Sequence, residues 1–199
     1  MGLIVTFATG LGVSLSDRAL DAIFIKNTFW IFCIIDLVLA IILSIKIKDM
    51  DPTLAKVLYI AYTFFSGLTF SSIFVVYKME SIIMVFGIAA LLFLIFGCLG
   101  FKSKVDLTKL GTYLMMILIG IIIVSIINIF IGNSTIDLLL SIFGVIVFLG
   151  FIAYDVQKID KFKGYLQEDN LAIIVAFELY LDFINLFIDL LRLFGNSKD

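Results

Sequence analysis

Long stretches without a charged residue are the feature that most limits how this chain can fold. They lie at 57–77, 81–101, 110–136 and 138–154. Each is close to or above the ~20 residues that a helix needs to cross the hydrocarbon core of a bilayer. A soluble fold of 199 residues cannot bury a sequence that is 63% hydrophobic and 15% charged, because much of its residue count must face water. The sequence therefore predicts an all-α integral membrane protein.

The expected helices form a single transmembrane domain over residues 1–199. The first apolar segment is shorter than a full span, so we expect a first helix that is truncated at its N-terminus or completed by packing in the bundle. The remaining six segments are long enough to cross. The expected helices cover approximately 2–16, 28–46, 55–77, 81–101, 110–132, 137–160 and 170–194.

The distribution of lysine and arginine predicts the orientation of the chain. Alternate connections place nine basic residues on one side of the membrane: Lys46, Lys48, Lys56, Lys102, Lys104, Lys109, Lys158, Lys161 and Lys163. Five fall on the other side: Arg18, Lys26, Lys78, Arg192 and Lys198. The side richer in basic residues faces the cytoplasm. We therefore expect a cytoplasmic N-terminus and, after seven crossings, a C-terminus outside.

Composition excludes several classes of function. The chain has no histidine, which removes His-based catalysis, most zinc sites and imidazole as a pH switch. A net charge of −2 without a basic block argues against nucleic acid as a partner. Cys33 and Cys98 each lie in an apolar stretch and form no CxxC motif, so both are expected to be small core residues.

Acidic residues in the apolar segments are the candidates for function, because a carboxylate at mid-membrane costs about 2.5–3.5 kcal/mol on insertion scales. In the last segment the polar residues follow each other at steps of 4, 3, 4 and 3 and share one helical stripe. They are Glu178, Asp182, Asn185, Asp189 and Arg192. Asp189 and Arg192 are expected to pair at i, i+3. Asp182 has no basic residue of its own helix within reach, which favours a functional role for it.

Three polar residues stand in the other apolar segments. Asp36 lies midway in the second segment and Asp155 ends the sixth, about one turn before Lys158. A solvated carboxylate at the membrane interface is the alternative interpretation of Asp155. Asn128 in the fifth segment is cheaper to bury and more often joins helices by hydrogen bonds.

Several motifs resemble the Bax inhibitor-1 family, also called the transmembrane Bax inhibitor motif proteins. The longest is ELYLDFINLFIDLLRLFG in the last segment, followed by AYDVQKI at the end of the sixth. Further similarity lies in FFSGLTFSSIF, FGCLGFKSKVDLTKLGTYL and IINIF. The resemblance covers nearly the whole chain. It departs at the beginning, where family members usually have a cytoplasmic tail and a full first helix.

The resemblance implies a seven-helix bundle with the last helix at its centre. It also implies a pH-sensitive calcium leak channel in which two aspartates share a proton and set the gate. Matched by motif, these are Asp155 in YD and Asp182 in YLD. The family's acidic position on the second helix corresponds to Asp36. A basic residue at the cytoplasmic end of that helix latches the closed state, and here Lys46 or Lys48 has to serve.

The chemistry of such a pair is consistent with that implied function. Two carboxyls close together in a low dielectric cannot both ionise at low cost, so they titrate as a unit. When both are ionised, their oxygens suit Ca²⁺, which prefers hard oxygen ligands. Glu178, Asn185 and Asp36 are then expected to line the path. Calcium and protons are the expected small partners, with no cofactor. Measured from the helix ends, Asp155 and Asp182 lie at different depths, so we expect a helix shift or a water-filled cavity to bring them together.

Two other functions stay open. A regulator that binds other membrane proteins, such as a membrane protease or a death-pathway factor, is compatible with the same resemblance. An intramembrane aspartyl protease also uses a YD and a second aspartate, but it carries GxGD where this chain has LYLD. We therefore expect no enzyme. Abundant Ile, Lys, Phe and Asn suggest a prokaryotic plasma membrane, and the endoplasmic reticulum is the alternative.

Overall fold

The structure is a computed structural model that describes residues 1–25, 28–162 and 168–198. Within those residues the regular secondary structure is helical. The helices are α1 (Gly2–Ser14), α2 (Asp17–Leu20), a π-helical turn (Asp21–Ile25), α3 (Thr28–Lys46), α4 (Pro52–Val76), α5 (Met79–Lys102), α6 (Thr108–Ile131), α7 (Ser134–Phe162) and α8 (Glu168–Phe194). Lys26 and Lys163, which entered the predicted orientation, lie outside the described residues.

Among the described residues, six helices are long and apolar enough to cross a membrane, and these are α3 to α8. The first apolar segment does not form a continuous helix of this length. The 13 residues of α1 extend only about 20 Å, and the chain then bends by 101° before Asp17–Phe24. The two pieces make a seventh crossing only if they form one broken span. The all-helical membrane fold is therefore confirmed, with six continuous spans.

Local capping explains why two helices start earlier than their apolar runs. Pro52 opens α4, where its missing N–H would have had no partner in the helix. The Asp51 carboxylate precedes it and accepts hydrogen bonds from the Thr53 and Leu54 amides at 2.9 and 3.2 Å. α7 likewise begins at Ser134, because the Asn133 side chain accepts from the next free amides of the helix.

The first compact unit comprises Met1–Met79, Gly164–Phe177 and Ser197–Asp199. α1 packs closely on α4, where the Thr6 hydroxyl donates to the Thr63 carbonyl at 2.9 Å. α3 packs on the same helix. The beginning of α8 contributes Phe177, whose ring stands edge-on to that of Tyr62 with 5.5 Å between the centroids.

The second compact unit comprises Glu80–Lys163 and Glu178–Asn196. The greater part of α8 is buried here against α5, with the Phe183 ring between those of Phe86 and Phe93. α6 and α7 form a hairpin. Its turn is closed by Gly132, which ends α6 in the left-handed conformation at φ 69°.

Apolar side chains cover the outer faces of the spans. Phe130 is 86% exposed and Ile129 is 78% exposed, both on α6. By contrast, half of the α8 span is buried, the largest share among the six. A surface this apolar suits lipid, whereas Asp182 and Asp189 on the polar stripe of α8 are buried within the protein.

Candidate functional site

Asp155 lies near the C-terminal end of α7, in the second compact unit. The apolar run that precedes it makes α7 a membrane helix, and the polar sequence DVQKID begins only at its last two turns. The Asp155 side chain is 10% exposed, so the helix holds this carboxyl inside the protein. Gln157 continues the polar end, and its side chain binds the backbone between α5 and α6 through Ser103, Val105 and Leu107.

Asp182 is buried at 5% exposure on the stripe of α8. Its carboxyl and that of Asp155 lie within hydrogen-bonding range of each other. A hydrogen bond between two carboxyls requires that one of them is protonated. Oδ2 of Asp182 is buried and receives no hydrogen bond from an N–H or O–H group of the described residues. A proton or a cation is thus needed to balance this pair.

Lys158 and Glu178 complete the cluster. The Lys158 ammonium lies 2.7 Å from Oε1 of Glu178 and 3.7 Å from Oδ1 of Asp155. It also lies 5.7 Å from the centroid of the Tyr154 ring. The Lys158 side chain is 17% exposed and that of Glu178 is 26% exposed. Glu178, expected to line a path, is therefore engaged in an ion pair.

The contacts between α7 and α8 show why these residues meet. Gly144, Asp155 and Lys158 follow each other along α7, and their partners on α8 occur in the reverse order: Asp189, Asp182 and Glu178. Antiparallel packing thus places Asp155 beside Asp182. The helix shift or cavity that we expected is not needed, because the register of α7 on α8 already brings the two carboxyls together.

The remaining members of the stripe have other partners. The Asn185 amide donates to the Leu181 carbonyl of its own helix at 2.8 Å, which satisfies part of its polarity locally. The expected pair of Asp189 and Arg192 is observed at 3.8 Å. Asp189 also lies against Gly144 of α7, where a Cβ would overlap its carboxylate.

Asp36, Lys46 and Lys48 lie in the first compact unit. Asp36 on α3 accepts a hydrogen bond of 2.5 Å from the Ser66 hydroxyl on α4. Lys46 is the last residue of α3 and Lys48 follows in the next turn, both with exposed side chains. The basic residue that the structure places beside Asp155 is Lys158, on the same helix.

Within the described residues, no group of three or more acidic or cysteine side chains has the geometry of a metal site. Asp155 and Asp182 thus offer calcium two carboxyls rather than a preformed cage. Because Ca²⁺ takes six to eight oxygen ligands, water or backbone oxygens would have to supply most of them.

The sequence as a whole matches a family model. Residues 1–199 fit the model described as inhibitor of apoptosis-promoting Bax1. The chain belongs to the Bax inhibitor-1 family. It is 37% identical over 206 positions to an uncharacterized protein of Borreliella burgdorferi, with all of this chain and 88% of the relative aligned. It is 36% identical over 205 positions, with the same coverage, to the inner membrane protein YbhL of Escherichia coli K12.

A shorter alignment joins this Bax inhibitor-1 chain to a further bacterial membrane protein. An uncharacterized membrane protein of Streptococcus pyogenes serotype M1 is 35% identical over 168 positions, which cover 82% of this chain and 72% of the relative. These names and the six apolar spans agree on a multi-pass membrane protein.

The ion pairs of Lys158 in this Bax inhibitor-1 protein were not predicted, since Lys158 entered only the orientation and the interfacial interpretation of Asp155. The spacing of Asp155 and Lys158 at i, i+3 on one helix was the available signal for an ion pair. The partner Glu178 is 20 residues away on another helix. No spacing rule predicts such a contact, because it depends on the packing of α7 against α8.

Proposed function

We propose that this protein is a pH-sensitive calcium leak channel or transporter of a prokaryotic plasma membrane, gated by Asp155 and Asp182. The observation that carries the proposal is the contact of these two carboxyls, which come from different membrane helices and are 10% exposed at the Asp155 side chain and 5% exposed at Asp182. Carboxylates inside a membrane domain mark ion and proton pathways. The printed name of YbhL, an inner membrane protein, supports the compartment.

The pair acts as the gate through its protonation. With one shared proton, the two carboxyls form a charge-assisted hydrogen bond that carries a single negative charge and holds α7 and α8 together. Loss of that proton leaves two like charges in contact, which repel each other and attract a divalent cation. Glu178 and Lys158 lie beside this aspartate pair, and their charges add to the charge of the pair. A role in transport rather than catalysis follows from this chemistry, and no cofactor is required.

Calcium flux in proteoliposomes tests the proposal. The purified chain is reconstituted with an internal calcium indicator, and the wild type is compared with Asp155→Asn and Asp182→Asn. Flux should depend on pH in the wild type and fall about tenfold or more in both variants, as expected for the loss of one charge next to the ion. Glu80→Gln is the matched control, because Glu80 is an exposed acid at the start of α5.

Two outcomes would reject this function. Flux that is unchanged by both substitutions would remove the carboxyl pair from the transport step. A purified wild type that carries no calcium, but co-purifies with a membrane protein in fixed stoichiometry, would favour the regulator instead.

We also propose seven crossings with α8 at the centre of the bundle, the N-terminus in the cytoplasm and the C-terminus outside. The bent pair of α1 and Asp17–Phe24 then counts as one broken span, and the burial of α8 supports its central place. Labelling with a membrane-impermeant thiol reagent tests the orientation. In a chain without Cys33 and Cys98, Ser134→Cys should react in intact cells and Ser103→Cys only after lysis.

A further inference from the structure

Lys158 occupies the position between two acidic side chains from different helices. Its ammonium contacts Glu178 of α8 at 2.7 Å and Asp155 of its own helix at 3.7 Å. The side chain is 17% exposed although it ends in a charge. A lysine near the end of a membrane helix usually extends toward the interface. Here it is held inside the protein by the two carboxylates.

The charge of the cluster explains why a cation is held there. Asp155, Asp182 and Glu178 supply three carboxyls, and one shared proton between the aspartates leaves two negative charges. The ammonium of Lys158 reduces this to one. Oδ2 of Asp182 adds an unsatisfied acceptor to the same cluster. This oxygen is buried and has no hydrogen-bond donor among the described residues. The cluster is therefore built to attract positive charge beyond the single ammonium.

The ion pairs of Lys158 with its carboxylates can open more readily than those of an arginine. An ammonium is a compact point charge on a flexible four-carbon stem, whereas a guanidinium would fix a carboxylate through two parallel hydrogen bonds. A calcium ion would use the same oxygens of Glu178 and Asp155. The ammonium and the calcium ion cannot occupy that position together, because like charges at about 3–4 Å repel strongly in a low dielectric.

We propose that Lys158 is a built-in competitor of the transported cation, so that a divalent cation binds between Asp155 and Glu178 only when the ammonium leaves. This inference rests on the proposed calcium function and adds the step that limits ion entry. Lys158 is then the residue that sets the calcium concentration needed to occupy the site. Removing the ammonium should convert a site that calcium occupies weakly into one that calcium occupies readily.

Calcium-dependent thermal stability of the purified protein in detergent tests this competition. Lys158→Gln removes the charge and keeps a polar side chain of similar length, and Lys158→Arg keeps the charge. Lys158→Gln should be stabilised by calcium at about a tenfold lower concentration than the wild type, the order expected for loss of one adjacent like charge. Lys158→Arg should require at least as much calcium as the wild type. Lys109→Gln is the control, because Lys109 is an exposed lysine at the start of α6.

A second measurement uses the wild type and needs no variant to fold. Reductive methylation of lysine amines, followed by mass spectrometry, reports whether the Lys158 amine is accessible. Saturating calcium should raise the modification of Lys158 several-fold, because the ammonium has left its carboxylates. Modification of Lys109 in the same sample should not change. Equal modification of Lys158 with and without calcium would overturn the competition.

The two proposals fail in different ways. If the wild type carries no calcium flux, but calcium stabilises Lys158→Gln at the lower concentration, the channel is rejected and the competition stands. If the wild type conducts and Lys158→Gln has the calcium requirement of the wild type, the competition is rejected and the channel stands.

Discussion

The carboxylate of Asp189 on α8 lies against the backbone of Gly144 on α7, in space that a Cβ would occupy. Asp189 is only 9% exposed, although its partner Arg192 is 59% exposed at the side chain. The absence of a side chain at Gly144 thus gives a buried acid its place between two membrane helices.

Gly144→Ala should destabilise the protein by about 1–3 kcal/mol, because the added methyl must displace either Asp189 or the α7 backbone. Unfolding in a detergent titration measures the change. The effect should largely disappear when Asp189→Ala is also present, since the clash then has no partner. Gly120→Ala on α6, where a Cβ meets open space, is the control and should have little effect. Equal losses in the Asp189 and Asp189→Ala backgrounds would contradict this contact.

The pH dependence of calcium flux should follow the protonation of the carboxyl pair. Calcium binds ionised carboxylates, so the calcium concentration at half-maximal flux should fall as the pH is raised from about 5.5 to about 8. Asp182→Asn leaves Asp155 without a partner for proton sharing and should flatten this dependence. A stopped-flow flux assay at constant ionic strength measures both curves. A variant curve parallel to that of the wild type would place the pH sensor elsewhere.

Gly67→Ala should loosen α1 from α4. A Cβ at Gly67 would lie 2.6 Å from the Thr9 Cβ and 2.8 Å from the Thr6 carbonyl oxygen, so backbone must move. We expect a loss of about 1–3 kcal/mol and faster proteolysis near residues 15–16. Gly12→Ala is the matched control on α1, where a Cβ meets nothing within 4 Å. If both variants behave alike, α1 does not depend on this close approach.

Asn128→Ala should weaken the α6–α7 hairpin. The side-chain Nδ2 of Asn128 donates to the backbone carbonyl of Asn133 at 3.0 Å and to the Asp137 carboxylate at 2.6 Å. Its side-chain Oδ1 accepts from the backbone N–H of Asn133 at 3.1 Å. Losing these bonds should cost about 1 kcal/mol, the usual order for polar contacts between membrane helices. Detergent unfolding again gives the value. Thr112→Ala, which removes a hydroxyl bonded within its own helix, should cost less; the reverse order would refute this role of Asn128.

The membrane fold could be predicted because bilayer thickness dictates the length of an apolar run. The stripe of α8 followed from helical periodicity, and the pair of Asp189 and Arg192 from their spacing on that stripe. These features depend on residues that are close in sequence. The bend between α1 and Asp17–Phe24 could not be predicted in the same way, because apolar length reports neither a break nor its angle.

The contacts between helices were harder to predict from the sequence. The ion pair of Lys158 with Glu178 depends on the register of α7 against α8. No local sequence pattern predicts that register. The same register decides that Asp155 meets Asp182. Depths counted from the helix ends misplaced this pair, because the register of α7 on α8 is set by the packing around Asp155 and Asp182 and not by residue counts from the ends. Close-packed positions such as Gly144 are equally hidden until the partner helix is known.

The whole carboxylate cluster lies on α7 and α8, the last two helices in chain order. A ribosome delivers the N-terminal segments first, so α3 to α6 can enter the bilayer before any member of the cluster is made. The acids of the cluster are thus made when four other membrane helices of the same chain are already available to pack against, in place of bare lipid. The position of the cluster in the chain thus eases the biosynthesis of a membrane protein with unusual internal charge.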